Sequence, residues 1–269
     1  MLDVSDLRET LVRLRLSGEL NRNNPESMRQ AIREILKGNQ YYTMGAGNLS
    51  ARRLTYDSIA QTVAHQLGVT PTRFESNQPP FIDPDHTASR LITALHHLED
   101  AARNHHKVLF ATAHPGSLLT FYQTLATHAA TQGAKLVRLS EPLPAPSKRW
   151  LDDVGGVIAL SDEGNLMHTH SPESFAALLA GTKPDIVMAD HAFAVAAMSA
   201  DLPTIAVFDA DDAIIPILAH INPDRFIAVP MNDNQTNTHT AQLAATLIET
   251  LTHASTLRNP TYARPTSNA

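Results

Sequence analysis

Five short segments put histidine, aspartate or asparagine where an apolar run gives way to a turn: Ala111–Leu119 (ATAHPGSLL), His168–Ser171 (HTHS), Ala189–His191 (ADH), Phe208–Asp212 (FDADD) and Pro230–Asn234 (PMNDN). In the first, Gly116, Ser117 and their backbone N–H groups would cradle an anion at a helix N-terminus, with His114 beside it. The same residues also read as a plain turn with Ser117 as a cap. In the second, His168 and His170 would share one face of an extended chain, about 7 Å apart. Such a pair suits a metal, a phosphate pocket or merely a solvent-facing strand. Ser171, Pro172 and Glu173 open a helix on any of these readings.

In ADH, Asp190 either orients the His191 ring, ligates a cation or caps the helix that follows. FDADD holds three acids in four residues, Asp209, Asp211 and Asp212. That density suits Mg²⁺ or Mn²⁺, and the last two acids also favour the positive end of a helix dipole. Asn232, Asp233 and Asn234 would meet hydroxyls, phosphate or a hydrated cation, although such residues also make turns with no further duty.

For these groups to meet, their strands must run the same way. The texture after Lys107 fits this. Apolar runs at Lys107–Ala113, Leu136–Leu139, Gly156–Leu160, Asp185–Ala189, Thr204–Phe208 and Phe226–Val229 alternate with amphipathic stretches, which is the rhythm of a parallel sheet covered on both faces. Open sheets of this kind place ligands at the carboxyl ends of their strands. Leu166–His170 breaks the rhythm and reads as a returning strand of a hairpin. The Pro-rich stretch Glu141–Trp150 reads as a long connection. Before residue 105 the pattern is helical, with helices over Ser5–Ser17, Pro25–Leu36, Thr55–Leu67 and Pro84–Asn104. The expected fold is α/β: a Rossmann-like, mostly parallel sheet over 106–257, preceded by a helical region over 1–105 and followed by a frayed tail over 258–269. A last helix is expected over Thr238–Ala254. Tyr41 and Tyr42, in the loop Gln40–Asn48, would form a lid over the sheet edge or a packed pair. Arg22, Asn23 and Asn24 form a polar loop.

The bulk numbers remove several classes. The 269 residues carry a net charge of −6 and no cysteine. The charge gives no encouragement to a nucleic-acid partner, and the missing thiols exclude disulfides, thiolate catalysis and cysteine-held zinc. No apolar stretch has the roughly 20 residues of a membrane span, so no membrane partner is expected and a cytoplasmic location is the default. There is no Walker loop, no G-x-S-x-G and no H-E-x-x-H; G-x-G-x-x-G does not follow the first sheet strand. Fourteen histidines make acid–base or metal chemistry worth pursuing.

Taken together, ATAHPGSLL, SDEGNLMHTHSPE, PDIVMADHAFA and MNDN, with SGELNRNNPES and QYYTMGAG near the N-terminus, resemble an actinobacterial family described simply as phosphatases. The resemblance spans most of the chain and implies phosphoester chemistry; with the polar groups at the sheet edge, the leading expectation is a phosphomonoester hydrolase acting on a small cytoplasmic metabolite. On that basis His114, His168, His170 and His191 are the candidate catalytic residues. Gly116, Ser117 and Asn232 are the expected substrate contacts. Asp190, Asp209 and Asp233 are the expected ligands of Mg²⁺ or Mn²⁺, which would activate water and offset phosphoryl charge. Residue types alone leave two other readings open: a sugar-phosphate isomerase or lyase, and a non-catalytic module that binds a nucleotide or phosphometabolite. The helical first third would be a cap or a homodimer surface.

Overall fold

The computed structural model describes residues 4–20, 24–47 and 54–258, and side chains from Ser5 to Leu251 within them. Arg22 and Asn23 of the polar loop, Asn48 and the tail from residue 259 onward lie outside the described residues.

The first third contains α1 (Val4–Arg13), the two-residue strand β1 (Gly18–Glu19), α2 (Pro25–Leu36), the single turn α3 (Gln40–Thr43), α4 (Tyr56–Gln66), the single turn α5 (Pro71–Phe74), β2 (Phe81–Ile82) and the long α6 (Pro84–Arg103). Local chemistry starts these helices where the sequence predicts. Asn24 accepts the Ser27 N–H and precedes Pro25 in α2, while Thr55 and Ser58 close a reciprocal capping box on α4. Asp83 caps α6 through the N–H groups of Asp85 and His86. The first helix is shorter than expected. Arg15 adopts a left-handed backbone with φ 57°, which ends helical geometry before Ser17.

The sheet strands are β3 (Lys107–Thr112), β4 (Lys135–Leu136), β5 (Leu143–Ala145), β6 (Arg149–Val154), β7 (Val157–Ser161), β8 (Leu166–Met167), β9 (Ile186–Asp190), β10 (Thr204–Phe208) and β11 (Phe226–Pro230). Between and after them run α7 (Pro115–Thr131), α8 (Glu173–Thr182), α9 (His191–Ser199), α10 (Ile214–Ile221) and α11 (Asn237–Arg258). The nine strands form one sheet with the main order β11-β10-β9-β3-β7-β6-β5. From β11 to β7 neighbours are parallel; β6 and β5 extend the edge antiparallel, and β8 pairs antiparallel with β7. This is the expected α/β, Rossmann-like, mostly parallel sheet with helices on both faces. Two details differ. The chain over Leu136–Leu139 gives only a short bridge to β3, and Trp150, read as part of a connection, lies in β6.

Both faces of the sheet are buried, as parallel strands require. Leu109, Val187, Ala206 and Ala228 contribute to a core that also holds Ile32, Val63, Phe193 and Ile215. Phe110, Met188, Val207 and Val229 contribute to the opposite core, with Leu11, Leu95, Tyr122 and Leu247. Helices of the first third therefore share both cores with the sheet. Among the described residues no helix is long and apolar enough to cross a membrane.

Topology fixes where a ligand would sit. After β3 the chain crosses to β7 on one side, then returns to β9 on the other. The carboxyl ends of β3 and β9 thus flank the switch point of the sheet, where a crevice opens in folds of this type.

Candidate active site

That crevice is a cavity of about 220 Å³, lined by His114, His168, His170, His191, Asp211, Asp212, Asp233 and Asn234, with Tyr41 and Tyr42 among the residues at its wall. His114 follows β3 and precedes Pro115, the first residue of α7. His191 is the first residue of α9, directly after β9, and holds a left-handed backbone with φ 42°. A histidine seldom adopts that geometry, and it persists where the surrounding structure fixes it. Asp233 stands three residues past the end of β11.

Three imidazoles form a stack. The His114 and His168 ring centres are 4.5 Å apart, those of His168 and His170 4.9 Å, with interplanar angles of 28° and 25°. Tyr41 continues the stack at 4.0 Å from His170, whose Nδ1 also meets the Tyr41 carbonyl at 3.1 Å. The His191 ring stands nearly perpendicular to all three histidines. The segment carrying His168 and His170 is pinned by the Thr169 N–H, which donates to the Ala113 carbonyl at 3.0 Å. Only Leu166 and Met167 of the expected returning strand pair with β7.

The charges are arranged around His191. Its Nδ1 lies 3.4 Å from both Asp190 Oδ1 and Asp233 Oδ2, and its Nε2 lies 3.6 Å from Asp212 Oδ2. Burial opposes a charge on this ring, but the carboxylates of Asp212, Asp233 and Asp190 outweigh it and hold the imidazole well above its usual range. His114 follows the same logic: burial lowers it, and Asp233, 3.4 Å from its Nδ1, raises it above the ordinary value. Asp233 is itself buried, yet His191 and His114 keep it below the usual carboxylate range. Burial pushes Asp212 up to about 7, against the pull of His191. Burial and the neighbouring imidazoles push His168 down to about 3 and His170 down to about 4. The cavity thus mixes imidazoles that favour charge with imidazoles that favour neutrality.

The structure brings His114, His168, His170, His191 and Asp233 into one place. Ligand atoms within 4.8 Å of one another define two groups, His168/His170/His191 and His114/His191/Asp233. Asp190 and Asp209 belong to neither group. Asp190 is fully buried behind His191, where its Oδ1 accepts the Ala113 N–H at 2.9 Å. Asp209 accepts the Ala210 N–H and the Asn234 side-chain amide, each at 2.7 Å. Asn232 binds backwards, its side chain donating to the Arg15 carbonyl at 2.9 Å and its N–H to the Leu16 carbonyl, which ties the segment after the first helix to the end of β11. Gly116 and Ser117 lie in the first turn of α7 and are not among the residues lining the cavity. The Ser117 carbonyl accepts the Thr240 hydroxyl. Asp212, one of the three acids of FDADD, and the tyrosine pair, read as a lid or a packed pair, are wall residues of the cavity.

Phosphate chemistry has independent support. A family model described as Phosphatase matches residues 2–255. The chain belongs to this phosphatase family. It is also similar to Phosphatase SCO2771 of Streptomyces coelicolor, 28% identical over 236 residues, covering 86% of this chain and 88% of that protein. The phosphatase is therefore a hydrolase of the α/β class, and its rim cavity is where the histidines and acids of five separate segments meet.

Proposed function

We propose that this phosphatase hydrolyses phosphomonoesters of small metabolites at the rim cavity, with the help of a divalent cation. The observation that carries the reading is the convergence of four histidines and Asp233 in one cavity of about 220 Å³, at the switch point of the sheet, in a chain of the phosphatase family. A cavity of this size suits a small substrate.

The chain's own residues fit a cation. Nδ1 of His114, Nδ1 of His191 and Oδ2 of Asp233 are buried and lack a hydrogen-bond partner among the described residues. A cation held there would supply Lewis acidity toward the phosphoryl oxygens. His168 and His170, which favour the neutral form, handle the proton at the more open lip: one of them takes it from the attacking water and passes it to the ester oxygen as that oxygen leaves. A bond forms between the water oxygen and phosphorus, the phosphorus–ester oxygen bond breaks, and alcohol and inorganic phosphate leave. Such proton transfers contribute typically about 10²–10⁴ in rate. Tyr41 and Tyr42 close one side and limit the width of the group attached to phosphate.

The test is release of inorganic phosphate from a panel of sugar, nucleoside and short alkyl phosphomonoesters, before and after chelation. Release that falls on chelation and returns with added cation supports the proposal. Interconversion of an aldose and ketose phosphate without phosphate release would replace hydrolysis with isomerisation.

A further inference from the structure

The donor set in the cavity differs from the one that Mg²⁺ requires. Mg²⁺ takes oxygen ligands in octahedral geometry and keeps several waters. Two of the acids expected to form an oxygen cage are wholly or partly engaged elsewhere. Asp190 Oδ1 accepts the Ala113 N–H, and the two oxygens of Asp209 accept Ala210 and Asn234. Asp190 Oδ2 also lacks a hydrogen-bond partner but belongs to neither group of converging ligand atoms; the unpartnered atoms of the residues lining the cavity are two imidazole nitrogens and one carboxylate oxygen, Nδ1 of His114, Nδ1 of His191 and Oδ2 of Asp233. Each nitrogen lies 3.4 Å from that oxygen, longer than a good N–H···O bond. His191 and Asp233 are 5% and 1% exposed, so water does not serve these atoms from the surface.

The surroundings strengthen the match. Histidines that ligate a metal commonly present their other ring nitrogen to a carboxylate, which fixes the ring. Nε2 of His191 faces Asp212 Oδ2 at 3.6 Å. Two further imidazoles, His168 and His170, have ligand atoms within 4.8 Å of one on His191 and of each other. Imidazole with carboxylate suits Zn²⁺ and its first-row neighbours, and two histidines plus one carboxylate leave positions open for water and substrate.

We propose that His114, His191 and Asp233 form a binding site for a first-row transition metal ion of the Zn²⁺ class, in preference to Mg²⁺. The inference rests on reading the rim cavity as the reaction site, and it names the cation that this site takes.

The experiment uses the full chain, stripped with a chelator and dialysed against Zn²⁺, Co²⁺ or Mg²⁺ alone. Metal content and titration calorimetry give stoichiometry and affinity, and the visible spectrum of bound Co²⁺ reports its ligands. The expected result is stoichiometric Zn²⁺ and Co²⁺, at least about 100-fold tighter than Mg²⁺, with Co²⁺ bands that disappear in His114→Ala and Asp233→Ala. Wild-type chain that binds Mg²⁺ as tightly as Zn²⁺, or neither, overturns the proposal without any variant. Co²⁺ bands that survive His114→Ala and Asp233→Ala but vanish in His168→Ala would also overturn it, by moving the ion to the other histidine group. Tight Zn²⁺ with no phosphate release would leave this inference standing and remove the hydrolase reading. Phosphate release unchanged by chelation, with no tight Zn²⁺, would do the reverse.

Discussion

Nδ1 of His191 lies 3.4 Å from Oδ2 of Asp233, although the two residues come from the ends of strands that are not neighbours. Strand β10 runs between β9 and β11, and all three are parallel. The contact exists because each strand stops at the same rim and its following loop folds inward over the shared edge. His114 reaches the same carboxylate oxygen from β3, on the far side of β9. Three strand ends therefore supply one cluster, and mutations in any of them should act on one activity.

Asp190 acts through His191 rather than on substrate. It is fully buried, and its Oδ1 sits between the Ala113 N–H and the His191 ring. Asp190→Asn keeps the volume and removes the charge that faces the imidazole. Phosphate release should fall by about 10–100-fold in kcat/KM, the range seen when a residue supporting a ligand is changed. Steady-state kinetics of the variant, beside its melting temperature, checks this; unchanged kcat/KM would deny Asp190 a positioning role.

Tyr41 is more than half exposed, yet its ring covers His170 at 4.0 Å. It also packs edge-on against Tyr42, with centres 5.3 Å apart. The tyrosines are thus both a packed pair and part of the cavity wall. Removing a stacked ring of this kind costs about 0.5–1.5 kcal/mol. Tyr41→Ala should raise KM by roughly 2–10-fold and leave kcat nearly unchanged. A large loss in kcat with KM intact would give Tyr41 a part in the chemistry instead.

Gly45 supports the histidine segment from below. Its φ is 73°, and a Cβ there would run into Cγ of Pro172, two residues after His170. Gly45→Ala combines backbone strain with a clash, so it should destabilise by more than about 1 kcal/mol. Displacement of the His168–Pro172 segment should raise KM as well. A denaturant midpoint equal to that of the wild type would show that the loop accommodates the methyl group freely.

Asp153 provides a pH-dependent stability contribution away from the site. Burial would raise its carboxyl, but the Arg138 guanidinium and the N–H groups of Gly156 and Leu139 outweigh burial and hold it below the usual range. A carboxyl lowered in the fold stabilises above its unfolded value, and that contribution is lost as pH falls through the folded value. Asp153→Asn should cost about 1–2 kcal/mol at pH 7. The gap between the melting curves of variant and wild type should close as pH falls below the ordinary carboxylate value of about 4. A gap that persists in strong acid would contradict this assignment.

Much of the rim was legible in the sequence, for a physical reason. Strands buried on both faces read as apolar runs, so polar residues at their ends stand out, as Asp190 and His191 do after Ile186–Ala189. The pattern does not say which of several adjacent polar groups turns toward the crevice. Asp211 and Asp212 read equally well as favouring a helix dipole, and here they line the cavity before α10 begins. Asn232 and Asp233 are neighbours with opposite fates: one secures the segment after the first helix, the other meets the histidines. The strand β6 does not stand out in the sequence because it lies antiparallel between β7 and the three-residue edge strand β5, is only partly buried except at Leu151, and is preceded by prolines. Its pairing with β7 depends on the Gly155–Gly156 turn, whose positive φ values tighten the hairpin.

The most direct test compares wild type with Asp233→Asn, a change of one oxygen to an amide at the point where His114 and His191 meet. Phosphate release would be followed for the best substrate of the panel, with circular dichroism and melting temperature confirming the fold. The expected result is a loss of roughly 10²-fold or more in kcat/KM with the fold retained. Full activity in the folded variant would contradict it and move the reaction out of the rim cavity.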